Sequence, residues 1–176
     1  MSKTHSSVLS LIGNTPLVEI KNIDTGLCRL FVKMESDNPG GSIKDRVASY
    51  IINQAEKEGK LKPGGTIIEA TAGNTGIGLA LVGILKGYKV LLVIPDKMSL
   101  EKIAHLKALG AEIKFTRSDV GQDHPEYYHN IAEGYVKSIP GAFYADQFNN
   151  PANIMDHEET TAPEIYEQMD GDIDAF

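Results

Sequence analysis

This chain predicts an α/β fold, an open parallel sheet with helices on both faces, and three observations lead there. β-rich runs and helical patterns alternate from Thr66 to Ala145. The connections between them are short and rich in turn residues. The run at 89–94, Lys-Val-Leu-Leu-Val-Ile, is nearly continuous apolar, as in a strand covered on both sides.

The elements follow in order. Leu30 to Lys33 reads as a strand leading into the loop that starts at Asn38. Ser42, followed three residues later by Asp45, predicts a capping box that opens a helix. After the turn Pro63-Gly64-Gly65, Thr66 to Ala70 predicts a short strand. Residues 75–86 carry Ile77, Leu81, Ile84 and Leu85 at helical spacing, and Gly87 ends that helix. Ser99 caps a helix that turns Ile103, Leu106 and Leu109 inward and closes at Gly110. Residues 111–116 predict a strand, 125–138 a helix with Tyr127, Tyr128 and Tyr135 as packing residues, and 142–145 a last short strand. Asp156-His157-Glu158-Glu159 is expected to begin a solvated helix before Pro163.

Composition narrows the chemistry. The chain has 176 residues, 41% hydrophobic and 23% charged, enough to bury a sizeable core. A net charge of −7 without a basic patch argues against nucleic acid and anionic membranes as partners. A single cysteine, Cys28, leaves no disulfide framework and points to a reducing cytoplasm. The five histidines show neither an HxxxH pair nor a cysteine partner, so no metal site is expected.

Two segments carry chemistry. In Gly40-Gly41-Ser42-Ile43-Lys44-Asp45-Arg46, Lys44 falls in the first turn of the helix opened at Ser42. The positive end of a helix dipole disfavours an ammonium there relative to the neutral amine, the form that attacks a carbonyl. The alternative is a lysine that bends into water. In the second segment, Thr71-Ala72-Gly73-Asn74-Thr75-Gly76 joins a strand to a helix. Such loops present free N–H groups at the carboxyl end of a sheet. With small polar side chains they suit a carboxylate or another small oxyanion. Glycines at 73, 76 and 78 have neither the dinucleotide spacing nor the Gly-Lys-Ser/Thr of a P-loop. A plain tight turn is the alternative for this loop.

Taken together, Gly40 to Arg46 and Glu69 to Gly78 resemble the cysteine synthase/cystathionine β-synthase family, pyridoxal-phosphate enzymes of fold type II. Ile12-Gly13-Asn14-Thr15-Pro16-Leu17, Pro95 to Ser99, Lys107 to Ala111, Gln147 to Asn153 and His157 to Ile165 extend the likeness over nearly the whole chain. The resemblance implies pyridoxal 5'-phosphate as cofactor, with Lys44 forming the imine to it and later moving the substrate α-proton. It implies that Asn74 hydrogen-bonds the cofactor ring hydroxyl. It also implies that Thr71, Ala72, Asn74, Thr75 and Gln147 occupy the family's positions around the substrate α-carboxylate. Many relatives have serine where this chain has Ala72, which removes one hydroxyl, and proline where it has Ala70.

The implied function is β-replacement on serine or O-acetylserine with sulfide, giving cysteine. Cystathionine β-synthase, using homocysteine, is the alternative, and His124 to Tyr128 with Ile139-Pro140-Gly141 look more like that branch. A serine or threonine deaminase is a third reading within the fold, and a cofactor-free interaction domain is one of another class. The partners implied are small amino-acid and thiol substrates, and a second copy of the chain in a full-length homodimer. In domain terms, residues 1–38 are expected to belong to a larger domain, 39–150 to form a smaller α/β domain, and 151–176 to start the return to the larger one. The family's glycine- and threonine-rich phosphate loop follows a strand just beyond the region matching Gly171 to Phe176. A chain ending there is expected to be a truncated piece, inactive by itself.

Overall fold

A computed structural model describes residues 4–71 and 73–176. Its centre is a four-stranded parallel sheet formed by β3 (Thr66–Ala70), β4 (Lys89–Pro95), β5 (Glu112–Thr116) and β6 (Phe143–Tyr144), in the order β5-β4-β3-β6. Two earlier strands, β1 (Leu17–Ile20) and β2 (Leu30–Lys33), form a separate antiparallel ribbon with Val18 opposite Val32. Only the second of these was expected from sequence. Among the described residues, no helix is long and apolar enough to cross a membrane.

Alternation along β3 decides what lies on each face. Ile67 joins the larger core with Val47, Ile51, Ile52, Leu79, Val82, Leu92 and Leu106. These come from α1 (Lys44–Lys57), α2 (Asn74–Leu85), β4 and α3 (Leu100–Ala108). Ile68 and Ala70 point the other way, onto α4 (Tyr128–Ser138) through Ala132, Ile131 and Tyr135. Helices therefore cover both faces, as the apolar run at 89–94 required.

Strand order explains this division. β3, β4 and β5 step in one direction through α2 and α3, and the chain then returns to lay β6 on the far side of β3. Right-handed crossovers running in opposite directions place their helices on opposite faces. The reversal creates a switch point between β3 and β6, where loops diverge and ligands bind in open α/β sheets.

Glycines let α1 and α2 lie side by side. A Cβ on Gly78 would stand 2.6 Å from the Lys44 carbonyl oxygen and 3.2 Å from Ala48 Cβ. One turn and a half further on, a Cβ on Gly83 would crowd Val90 and Ile67 of the sheet at 2.7 and 3.0 Å, with Ile52 of α1 in ordinary contact at 3.9 Å. Low numbers meet low numbers, so the two helices run parallel and both N-termini open at the carboxyl edge of β3. Gly78→Ala offers up to about 1 kcal/mol of helix propensity. The overlap with the Lys44 backbone outweighs it, because overpacking costs about 1–3 kcal/mol. The expected result is a lower urea midpoint for Gly78→Ala.

Several boundaries differ from the sequence expectation. The predicted 125–138 helix starts at Tyr128, because His124 takes the Glu126 amide on its ring and forms a turn. The 142–145 strand shortens to Phe143–Tyr144, and Asp146, at φ 44°, turns the chain away from β3. Asp156 is buried, so the expected solvated helix start is corrected. It ends α5 (Ala152–Asp156), and a π-turn at His157–Thr161 leads into α6 (Ala162–Gln168).

Candidate active site

The Lys44 segment does not form the expected capping box. Ser42 Oγ accepts from the Lys44 N–H at 3.2 Å, and the Asp45 carboxylate reaches back to the Gly40 N–H. Gly40 has no room for a side chain, since a Cβ there would meet Asp45 Oδ1 at 2.4 Å. Burial raises the Asp45 pKa, and Oδ1 has no partner among the described residues. Lys44 is still the first residue of α1 and half-buried. Its side-chain nitrogen has no hydrogen-bond or ion-pair partner among the described residues.

The second segment leaves β3 where the Thr71 N–H donates to the Val93 carbonyl at 3.1 Å. Thr71 Oγ1 then accepts from the Gly73 N–H at 3.1 Å, which folds the loop over the strand end. Gly73 is the extended N-cap of α2, and Asn74 and Thr75 are its first residues. Asn74 is exposed and Thr75 buried. A Cβ on Gly76 would lie 3.0 Å from Thr71 Cγ2, so glycine is what lets the threonine pack over α2. Ala72 lies outside the described residues.

Gln147 reaches the same place from the other side of the switch point. It is buried, and its Oε1 accepts the Thr75 hydroxyl proton across 72 residues of sequence. Thr71, Asn74, Thr75 and Gln147 thus meet at the β3/β6 edge, and the parallel packing of α1 on α2 sets the start of Lys44's helix beside them.

Glu69, which hydrogen-bonds the Gln147 backbone beside this cluster, was passed over by sequence reasoning. Its carboxylate, 1% exposed, accepts from the Ala70 N–H at 2.8 Å and the Gln147 N–H at 3.1 Å. Burial drives its pKa up to about 7, against the two amide hydrogen bonds and with help from nearby Asp146. The available signal was a lone acid in the otherwise apolar run Thr-Ile-Ile-Glu-Ala.

A buried ion cluster behind Lys44 was also missed. The Arg46 side chain, 3% exposed, donates to Glu35 Oε1 and Oε2 and to Glu164 Oε1 and Oε2, all at 2.8–2.9 Å. Glu164 also takes Lys33 Nζ and the Asn14 and Thr15 amides. The turn before β1, the end of β2, α1 and α6 are all tied to one guanidinium. Burial pushes the Glu164 carboxyl up, but Arg46 and Lys33 outweigh it and hold the pKa at about 2. An unfolded glutamate titrates near 4.5, so the unfolded chain takes the proton first. The contribution is complete above pH 4.5, declines below it and is gone below about pH 2. With solvent screening the loss is about 2 kcal/mol. Urea midpoints should fall across that window, and a Glu164→Gln variant should fall less.

The architecture, a parallel sheet with a ligand edge at its switch point and a lysine opening an adjacent helix, is that of a fold-type-II pyridoxal-phosphate protein. The family model for pyridoxal-phosphate dependent enzymes matches residues 8–176, and the chain belongs to that family. It is 46% identical over 176 residues to a cystathionine beta-synthase of Apis mellifera, covering 98% of this chain and 35% of that protein. It is 48% identical over 167 residues to cysteine synthase 1 of Emericella nidulans, covering 94% and 45%. A crystal structure of a hydrogen sulfide-producing enzyme from Fusobacterium nucleatum superposes with a TM-score of 0.91 at 42% identity, over 99% of this chain and 56% of that one. The chain therefore spans less than half of these curated relatives and about half of that solved one.

The residues present fit one side of the cofactor. Lys44 offers a nitrogen without a partner among the described residues, and Asn74 is exposed. Among the described residues, a Cβ on Gly73 would find Thr71 Oγ1 as its one contact, at 3.9 Å.

Proposed function

We propose that this chain carries the imine-forming lysine and the substrate-carboxylate loop of a β-replacement enzyme, cysteine synthase in type, acting on serine or O-acetylserine with sulfide. The observation that supports this best is the meeting of Thr71, Asn74, Thr75 and Gln147 at the switch point, with α1 bringing Lys44 alongside. Lys44 would hold the cofactor aldehyde and Asn74 its ring hydroxyl. When bound, pyridoxal phosphate supplies the electron sink for the negative charge developing at the substrate α-carbon.

The chain's own groups do the rest. The Thr71 hydroxyl, the NH2 group of Gln147, whose Oε1 is held by the Thr75 hydroxyl, and the first amides of α2, Thr75 N–H among them, bind the α-carboxylate and aim the Cα–H bond. Lys44 takes the α-proton at Nζ and later returns it. Ala72 contributes no hydroxyl, so the carboxylate rests on Thr71, Gln147 and the helix amides.

Homocysteine as nucleophile is the second reading, supported by His124 to Tyr128 and Ile139-Pro140-Gly141, which look more like the cystathionine β-synthase branch. Either way, the 176-residue chain on its own is expected to show negligible turnover. A phosphate of nearly two charges needs several donors, and Lys44 alone supplies an imine without orientation. The test joins this chain to the remainder of the Emericella cysteine synthase at the matched position. With O-acetylserine, sulfide should yield cysteine faster than homocysteine yields cystathionine. The reverse order selects the second reading, and turnover with neither, in a folded chimera lacking an imine band, removes both.

A further inference from the structure

β3 and β6 pair only at Ile67–Phe143 and Ile68–Tyr144, with one further bond from the Ala145 N–H to the Ile68 carbonyl. Beyond that the strands part. Continued pairing would occupy the Ala70 and Gln147 amides next. Asp146, at φ 44°, turns β6 away instead, and Asn150 Nδ2 takes the Ala145 carbonyl at 2.9 Å. Two buried N–H groups are then left facing a gap, an arrangement that costs free energy unless an acceptor fills it.

The Glu69 carboxylate fills it, with one oxygen on each amide. Gln147 is held by its backbone on Glu69 while its side chain accepts from Thr75. Asn153 Nδ2 adds a bond to the Gln147 carbonyl at 3.2 Å.

We propose that Glu69 is a positioning residue of the carboxylate site: by bridging the Ala70 and Gln147 amides where β3 and β6 separate, it keeps the switch-point crevice open and sets the Gln147 carboxamide on Thr75. Glu69 touches no substrate. It acts through Gln147, and a two-oxygen acceptor is required because two donors point into one gap. This inference rests on the reading of Thr75 and Gln147 as carboxylate ligands, and its test separates the two.

Glu69→Gln keeps the shape but turns an NH2 group toward one of the two amides. In the ligand-free chain, the Gln147 backbone and side-chain amide resonances should move, while those of Val90 to Ile94 stay in place. L-serine then serves as the carboxylate probe, read at the Asn74 and Thr75 amides. Glu69→Gln and Gln147→Leu should each weaken its binding by about fivefold. The double variant should lose no more than about twofold beyond either single one, since both act on one contact.

Additive losses, or unmoved Gln147 resonances, would overturn the positioning role. If L-serine binds the unmutated chain without shifting Asn74 or Thr75, the carboxylate reading fails, and the ligand-free resonances still decide what Glu69 does to Gln147. Should Glu69→Gln not fold, Glu69→Asp carries the same comparison, because its carboxylate is one methylene too short to span both amides.

Discussion

On the proposed function, pyridoxal phosphate should give the protein an imine absorbance, and Lys44→Ala is expected to abolish it. In the chimera proposed above, it should lower β-replacement by about 1,000-fold or more, because covalent capture and proton transfer are lost together. Lys44→Arg should fail as badly. It keeps the positive charge, but a guanidinium does not lose a proton in a protein and forms no imine. That pair of variants separates carbonyl chemistry from mere charge. Lys33→Ala is the control: Lys33 is committed to Glu164, Thr15 and Gln168, so its loss should leave the band in place.

Arg46→Ala is expected to be the most damaging substitution for stability. It takes the guanidinium from all four oxygens of Glu35 and Glu164, whose side chains are 16% and 13% exposed, leaving Glu35 with no cationic partner among the described residues and Glu164 with Lys33 alone. Breaking a buried pair from one side costs about 3–5 kcal/mol. A domain's whole stability is only about 5–15 kcal/mol. Arg46→Lys should recover less than half of the loss, because one ammonium cannot serve four oxygens in a fork. Guanidinium-induced unfolding of the three proteins measures the order. Lys44 lies two residues from this anchor, so looser packing at Arg46 should also broaden the Lys44 amide resonance.

The sheet was readable because its signals are local. A continuous apolar run, capped helix starts and glycine stops fix β4, α3 and the ends of α2 within a residue or two. β1 was not readable: Leu-Val-Glu-Ile is four residues long, half-exposed, and stabilised by pairing with a strand ten residues on. The Ser42 capping box failed for a similar reason. Burial turned Asp45 onto Gly40, a choice made by α1's packing and not by the spacing of the two residues.

At the site, Thr71, Asn74 and Thr75 could be marked because they follow one strand in sequence. Gln147 came only with the family resemblance, since its contact with Thr75 spans 72 residues. Glu69, Arg46 and Glu164 act through partners far along the chain, and no periodicity carries that information. Fold and family were thus legible, while the supports beneath the site needed three dimensions.

The central claim is that Lys44 is the lysine that meets the cofactor. Reduction of the unmutated chain with borohydride after incubation with pyridoxal phosphate, followed by peptide mapping, tests it most directly. The account predicts that the phosphopyridoxyl label concentrates on the peptide containing Lys44, and that L-serine in the incubation lowers it there. Label spread evenly over the surface lysines, with Lys44 no richer than the rest, would contradict it.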